Sequence, residues 1–193
     1  MNGPLTGFRV LDLTTMVSGP VATMMLGDQG ADVIKIEPID GEYMRKAGVK
    51  HRGMPNGFLS CNRSKRSLSI NLKSEEGVVA VKRLLANTDV LVQNFRPGAI
   101  ERMGLGEVVA REIRPDIIFV SISGFGEKGP YSHQRVYDPI IQALSGLADI
   151  QRDKDSGKPK MVRTIIPDKT TSVTAAQAIT AALLHRERTG DCL

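Results

Sequence analysis

The chain has no tryptophan, and aromatic residues make up only 4% of its 193 positions. Stacking platforms for single-stranded nucleic acid need exposed rings, so a nucleic-acid partner is not expected. Cysteine is also scarce: Cys61 and Cys192 stand far apart and neither belongs to a CxxC motif. That excludes a disulfide framework and suits a reducing compartment. His51, His133 and His185 are scattered without ligand spacing, so no metal site is expected. No apolar run reaches the roughly 18 residues that a bilayer span requires, and no charged-then-apolar leader opens the chain. These absences lead us to expect a cytoplasmic protein with no membrane partner. There is no long lysine or arginine block either. The net charge of +5, from 26 basic and 21 acidic residues, suits an anionic small molecule at least as well as a polyanion.

With 41% hydrophobic and 24% charged residues, the chain can form one globular domain or part of a larger one. Phe8–Leu13 reads as a strand, Ser18-Gly19-Pro20 as a helix start continued by Val21–Leu26, and Ala31–Glu37 as the next strand. That is a βαβ unit with a parallel pair. Leu68, Ile70 and Leu72 alternate as a half-buried strand. Ser74 is placed to cap a helix striped by Val78, Val81, Leu84 and Leu85, which Asp89–Val92 follows as a strand. A helix over Glu107–Arg114, a strand over Ile117–Ile122, an apolar helix over Ile140–Ala148, a strand over Met161–Ile166 and a long helix from Ser172 to Arg188 complete the alternation. The pattern predicts an α/β fold with a doubly wound, mainly parallel, Rossmann-like sheet.

In such a sheet, ligands lie beyond the carboxyl ends of the strands. Asp12 with Thr14 and Thr15, and Asn94 with Arg96 and Arg102, fall at strand ends and are candidates to face a ligand. Residues 38–67 form a basic excursion interrupted by glycine and proline. It is longer than an ordinary connection, and reads either as a solvated loop or as an anion-facing lip. Gly124–Gly129 matches GxGxxG after a strand, but Pro130 follows where the dinucleotide fingerprint must open a helix. No nicotinamide site is expected there.

Four stretches in order carry more than pattern. They are SGP with GADVIKIEP (18–38), NRSKRSLSINLK (62–73), NFRPGAIERMGL (94–105), and SISGFGEKGPY through VYDPIIQALSG (121–146). Together with IPDKTT (166–171), they resemble the amino-terminal half of class III coenzyme A transferases, a family that also holds the α-methylacyl-CoA racemases. The resemblance implies the amino-terminal part of a large Rossmann-type domain, in chains about twice this length that interlock as homodimers. Residues 1–193 would then end before the small domain, since Asp191-Cys192-Leu193 falls inside the family's RTGxGQ segment.

The resemblance places the nucleophile at Asp168. It places coenzyme A contacts at Val17 and Ser18, at Ile70, Asn71, Leu72 and Lys73, at Asn94, Phe95, Arg102 and Met103, and at Arg135, Val136, Tyr137 and Asp138. It implies acyl-CoA and a free carboxylic acid as substrates, with no permanently bound cofactor. A carboxylate nucleophile can form an anhydride and later be expelled, as moving CoA between acids requires. By pattern alone, Asp168 also reads as a helix cap, and the start of a helix would help keep it ionised. Val17 stands where formyl-CoA transferases carry glutamine, and Pro38 where some relatives carry an arginine near the adenine. Tyr137 stands where racemases place a histidine, which favours transfer over racemisation; a truncated chain that only binds CoA is the third alternative.

Overall fold

The computed structural model describes residues 3–192; Met1, Asn2 and Leu193, the last of the three residues on which the expected truncation rests, lie outside the described residues. Five parallel strands form the sheet in the order β5-β2-β1-β6-β7. They are β1 (Arg9–Asp12), β2 (Asp32–Glu37), β5 (Lys65–Ser69), β6 (Val90–Gln93) and β7 (Ile118–Ser121). Strand alternation sorts the core into two layers. Val10, Val33, Val90, Val92 and Ile118 point to one face, where they meet Ala22 and Leu26 of helix α1 (Ser18–Asp28) and Ala176, Ile179 and Leu183 of helix α8 (Ile166–Thr189). Leu11, Ile34, Ile36 and Leu91 point to the other. They meet Val81 and Leu85 of α3 (Glu75–Leu85), Ile100 of α4 (Ala99–Arg102) and Ala110 of α5 (Glu107–Ile113). Each fully buried leucine or isoleucine contributes about 1.5–3 kcal/mol. The doubly wound α/β architecture is the one the alternation predicts.

Ser74 caps α3 as expected, its Oγ accepting from the Gly77 N–H at 3.2 Å. Five other expectations need correction. The edge strand β5 lies at Lys65–Ser69, not over Leu68–Leu72, and it is polar residues that tie it to the sheet: Lys65 reaches buried Asp12 and Ser67 reaches Glu37, while Leu68 is exposed. Residues 38–67 are not a free excursion. They carry a 3₁₀ turn (Tyr43–Arg45), the short pair β3 (Lys50–His51) and β4 (Met54–Pro55), helix α2 (Asn56–Asn62) and the start of β5. Much of their basic charge is internally paired: Arg45 with Glu37, Arg63 with Asp28, Lys65 with Asp12 and Arg66 with Asp32.

The helix expected over Ile140–Ala148 divides into α6 (Asp138–Leu144) and α7 (Leu147–Ile150), with Gly146 between them at φ 81°. Only glycine adopts that conformation freely. Met161–Ile166 makes no strand, and α8 begins at Ile166, six residues before Ser172. The backbone of this apolar run is satisfied by a side chain instead of a neighbouring strand. Gln142 Oε1 accepts the Val162 N–H at 2.8 Å, and Gln142 Nε2 faces the carbonyls of Val162 and Thr164 at 3.4 and 3.3 Å.

Candidate active site

The segments leaving β1 and β6 are tied together at the carboxyl edge of the sheet. Leu13 N–H donates to the Val92 carbonyl at 2.9 Å. Thr15 N–H donates to Asn94 Oδ1 at 2.9 Å, while Asn94 Nδ2 donates to the Thr15 carbonyl at 2.8 Å. Met16 N–H donates to Glu42 Oε2 at 3.1 Å. These bonds hold Met16 at φ 70°, a left-handed conformation that costs a side-chain-bearing residue about 1–2 kcal/mol. Asn94 is thus engaged on both ends of its amide, and fixes the loop that delivers Val17 and Ser18 to the start of α1.

Beneath this loop lies a charge network that the sequence placed at the ligand edge. Asp12 is fully buried, and faces inward. Its carboxylate accepts from Thr14 N–H and Thr23 Oγ1 at 2.8 Å each, and from Lys65 Nζ at 2.8 Å, with Lys35 Nζ at 3.9 Å. Burial pushes the Asp12 carboxyl upward, but Lys65, Lys35 and the hydrogen bonds outweigh it and hold the group below the usual carboxylate range. Lys65 donates further to the Pro20 carbonyl and Asn62 Oδ1, and Lys35 to the Thr14 carbonyl, all at 2.8 Å. Asp12 is a structural ion.

Asp168 occupies a different environment on the same edge. It lies half-buried in the first turn of α8, just after Pro167, where a proline suits the helix start. Its N–H donates to Asp138 Oδ2 at 3.2 Å. Ser172, one turn on and fully buried, has its Oγ 2.8 Å from the Asp168 carbonyl and 2.9 Å from the Ser18 carbonyl, which binds α8 to the start of α1. Burial and the charge of Asp138 raise the Asp168 carboxyl above the ordinary range, and the side chain and main chain of Ser18 offset this only in part. Desolvation and a like charge thus oppose the ionised form that the start of the helix is expected to favour. Ser172 and Gln142 carried no signal in the sequence beyond lying four residues after Asp168 and Asp138.

The remaining candidates divide by position. Ser18, Asp138 and Asp168 meet at the corner of α1, α6 and α8, with Val17 just before Ser18 at the N-cap of α1. Asp138 is buried, while Arg135 and Tyr137 are exposed. Val136 packs so tightly over Gly124 that a Cβ there would fall 1.8 Å from Val136 Cγ1, which accounts for one glycine of the GFGEKG loop. No helix follows that loop until Asp138. Ile70, Asn71, Leu72 and Lys73 leave β5, three strand spacings or about 14 Å from β6. Asn71 Oδ1 accepts the Lys73 N–H at 3.1 Å, leaving the Lys73 side chain exposed. Phe95 packs into the second core layer, Met103 follows α4, and Arg102 is exposed. Among the described residues, Lys73, Arg96, Arg102 and Arg135 form no ion pair.

No cluster of metal-ligating side chains and no helix long and apolar enough to cross a membrane occurs among the described residues.

Comparison with known proteins adds the following. A family model described as CoA-transferase family III matches residues 5–192. Succinyl-CoA:glutarate CoA-transferase of Mus musculus is 46% identical over 189 residues, covering 97% of this chain and 43% of that protein. Formyl-CoA:oxalate CoA-transferase of Escherichia coli is 40% identical over 195 residues, covering 98% and 46%. The crystal structure of a CAIB/BAIF family protein from Brucella suis superposes with a TM-score of 0.94 at 36% identity, over 99% of this chain and 52% of that one. The chain thus spans about half the length of the relatives it matches.

Proposed function

The chain belongs to CoA-transferase family III, and from that premise we propose that it supplies the nucleophile and much of the CoA site of an enzyme that moves coenzyme A from an acyl-CoA to a free carboxylic acid. The observation that carries the reading is Asp168: a half-buried carboxylate at the ligand edge of the sheet, raised by burial and by Asp138, in the first turn of a helix.

Its oxygen attacks the thioester carbonyl carbon and expels CoA thiolate, leaving an aspartyl–acyl anhydride. The thiolate then attacks the aspartyl carbonyl, forming aspartyl-CoA and releasing the first acid as carboxylate. An incoming carboxylate attacks the same carbonyl, expels the thiolate and makes a second anhydride. Attack of the thiolate on the new acyl carbon gives the product thioester and restores Asp168. A carboxyl held above its ordinary range is a better nucleophile once ionised, in keeping with Brønsted behaviour. Ser18 at the start of α1 is placed to steady charge developing beside Asp168.

Exposed Lys73, Arg96, Arg102 and Arg135 suit the phosphates of CoA, since none is committed to a carboxylate. The 14 Å between the β5 and β6 edges suits an extended ligand. The racemase alternative needs an acid and a base across an α-carbon. Asp138 is a poor candidate, with one oxygen held by Gln142 and the other by the Asp168 N–H.

Residues 1–193 are read as the amino-terminal part of the large domain of a homodimeric enzyme. Support comes from the half-length match and from an open apolar groove along α1 and α8, where Val173, Ala181 and Leu184 face solvent beside Gln177 and half-buried Met25. Glutarate, oxalate and succinate, which occur in the names of relatives, are the first acids to test as acceptors or donors. The full polypeptide should transfer CoA between acids and wash no solvent deuterium into the α-carbon, and Asp168→Ala should lose roughly a thousandfold or more in turnover. Normal turnover by Asp168→Ala, or deuterium uptake without transfer, would overturn the proposal.

A further inference from the structure

The helix carrying Asp168 has no cap of its own. Ile165 occupies its N-cap position and offers no side-chain oxygen, and Pro167 has no N–H. The first-turn N–H of Asp168 is met instead by Asp138 Oδ2 at 3.2 Å, from a residue 30 positions earlier in the chain. The other oxygen of Asp138 accepts from Gln142 Nε2 at 2.6 Å, one turn along α6. Gln142 in turn receives the Val162 N–H at 2.8 Å. Both side chains are buried, at 8% and 2% exposure, so neither presents a free polar group to a substrate.

Resting on the reading of Asp168 as nucleophile, we propose that Asp138 and Gln142 are a positioning pair: Asp138 caps α8 at Asp168, and Gln142 orients Asp138 while anchoring the segment that enters the helix. Asp138 is thereby removed from the coenzyme A contacts suggested by family resemblance. The pair fixes the nucleophile at the point where small displacements matter most; a shift of about 1 Å at a reacting group can cost a hundredfold in rate.

The test uses the full chain and measures two quantities. Asp138→Ala should lower kcat by about a hundredfold while leaving KM for acyl-CoA within about threefold, since substrate binding is untouched. It should also speed hydrogen exchange at the Asp168 amide, which loses its acceptor. Asp138→Asn keeps one carbonyl oxygen for that amide and should retain more activity and more protection than Asp138→Ala; it also serves if the alanine variant fails to fold. Gln142→Leu should reproduce the kcat loss and the faster exchange to a smaller degree. An increase in KM with kcat intact would make Asp138 a substrate contact. Unchanged exchange at Asp168 in the Asp138 variants would show that it caps nothing. If Asp168→Ala keeps full turnover, the nucleophile reading fails, while the exchange result still decides the capping.

Discussion

Two aspartates sit on one edge of the sheet and are treated in opposite ways. Asp12 is wholly buried and enclosed by cations and hydroxyls: Lys65 at 2.8 Å, Lys35 at 3.9 Å, Thr14 and Thr23. Its charge is neutralised, and its carboxyl is held low. Asp168 is only half-buried, has another carboxylate beside it, and is held high. The same division runs through the cations. Under the β1 loop, Lys65 and Lys35 are committed to carboxylates and carbonyls, whereas Arg96, Arg102 and Arg135 remain uncommitted at the surface. A neutralised region holds the edge in shape; a region with unmatched charge of both signs is available for chemistry and for an anionic ligand.

The contrast breaks most visibly if Asp12 can be removed cheaply. Asp12→Ala leaves Lys65 and Lys35 buried without their shared partner and should cost about 3–5 kcal/mol of stability. Denaturant unfolding measures this, and a loss below 1 kcal/mol would show that the network is not what fixes the edge. A smaller effect is expected at the uncommitted cations. Arg102→Ala should weaken coenzyme A binding by about 1.5–3 kcal/mol at low salt, as for one charge-assisted hydrogen bond, with little effect on folding. Unchanged affinity by calorimetry would remove Arg102 from the ligand site.

The smallest effect, at Asp168, is the most discriminating, because its sign must be opposite to that at Asp12. A carboxyl raised in the folded protein makes folding less favourable as pH climbs through and above its ordinary range near 3.8, because the folded state retains the proton that the unfolded state has lost. Asp168→Asn should therefore be slightly more stable than the parent at neutral pH, with the gain fading as pH falls below that range. A carboxyl lowered in the folded state contributes stability above the ordinary range and loses it as pH falls through the folded value. Asp12→Asn should accordingly lose stability at neutral pH and approach the parent only in acid. Stability curves of the same sign for both variants would erase the distinction.

The sheet was legible where strand alternation coincided with burial. Val10 and Leu11, Val33 and Ile34, and Leu91 and Val92 point to alternate faces, and their hydrophobicity marks them. Hydrophobic alternation fails where polar residues make the contacts: Lys65 and Ser67 tie β5 to Asp12 and Glu37, so the apolar pattern of Leu68, Ile70 and Leu72 points three residues too late. Met161–Ile166 misled for the opposite reason, since an apolar, β-branched run had its backbone satisfied by Gln142 and needed no strand. Asp168 stands out only by resemblance to a family; its local pattern by itself favours a helix cap. Its upward shift is not legible in the sequence, because it depends first on burial of the side chain and then on Asp138 approaching from another helix. Ser172 and Gln142 were missed because one hydroxyl and one amide take meaning only when α1, α6 and α8 meet.

The central claim is that Asp168 is the group to which the acyl unit and then coenzyme A are attached. Incubating the full polypeptide with an acyl-CoA in the presence of hydroxylamine, followed by peptide mass mapping, tests it directly. The account predicts that the Asp168 side chain becomes a hydroxamate, dependent on acyl-CoA, while Asp12 and Asp138 stay unmodified. Modification at another carboxylate, or none at Asp168 while CoA transfer proceeds, would contradict it.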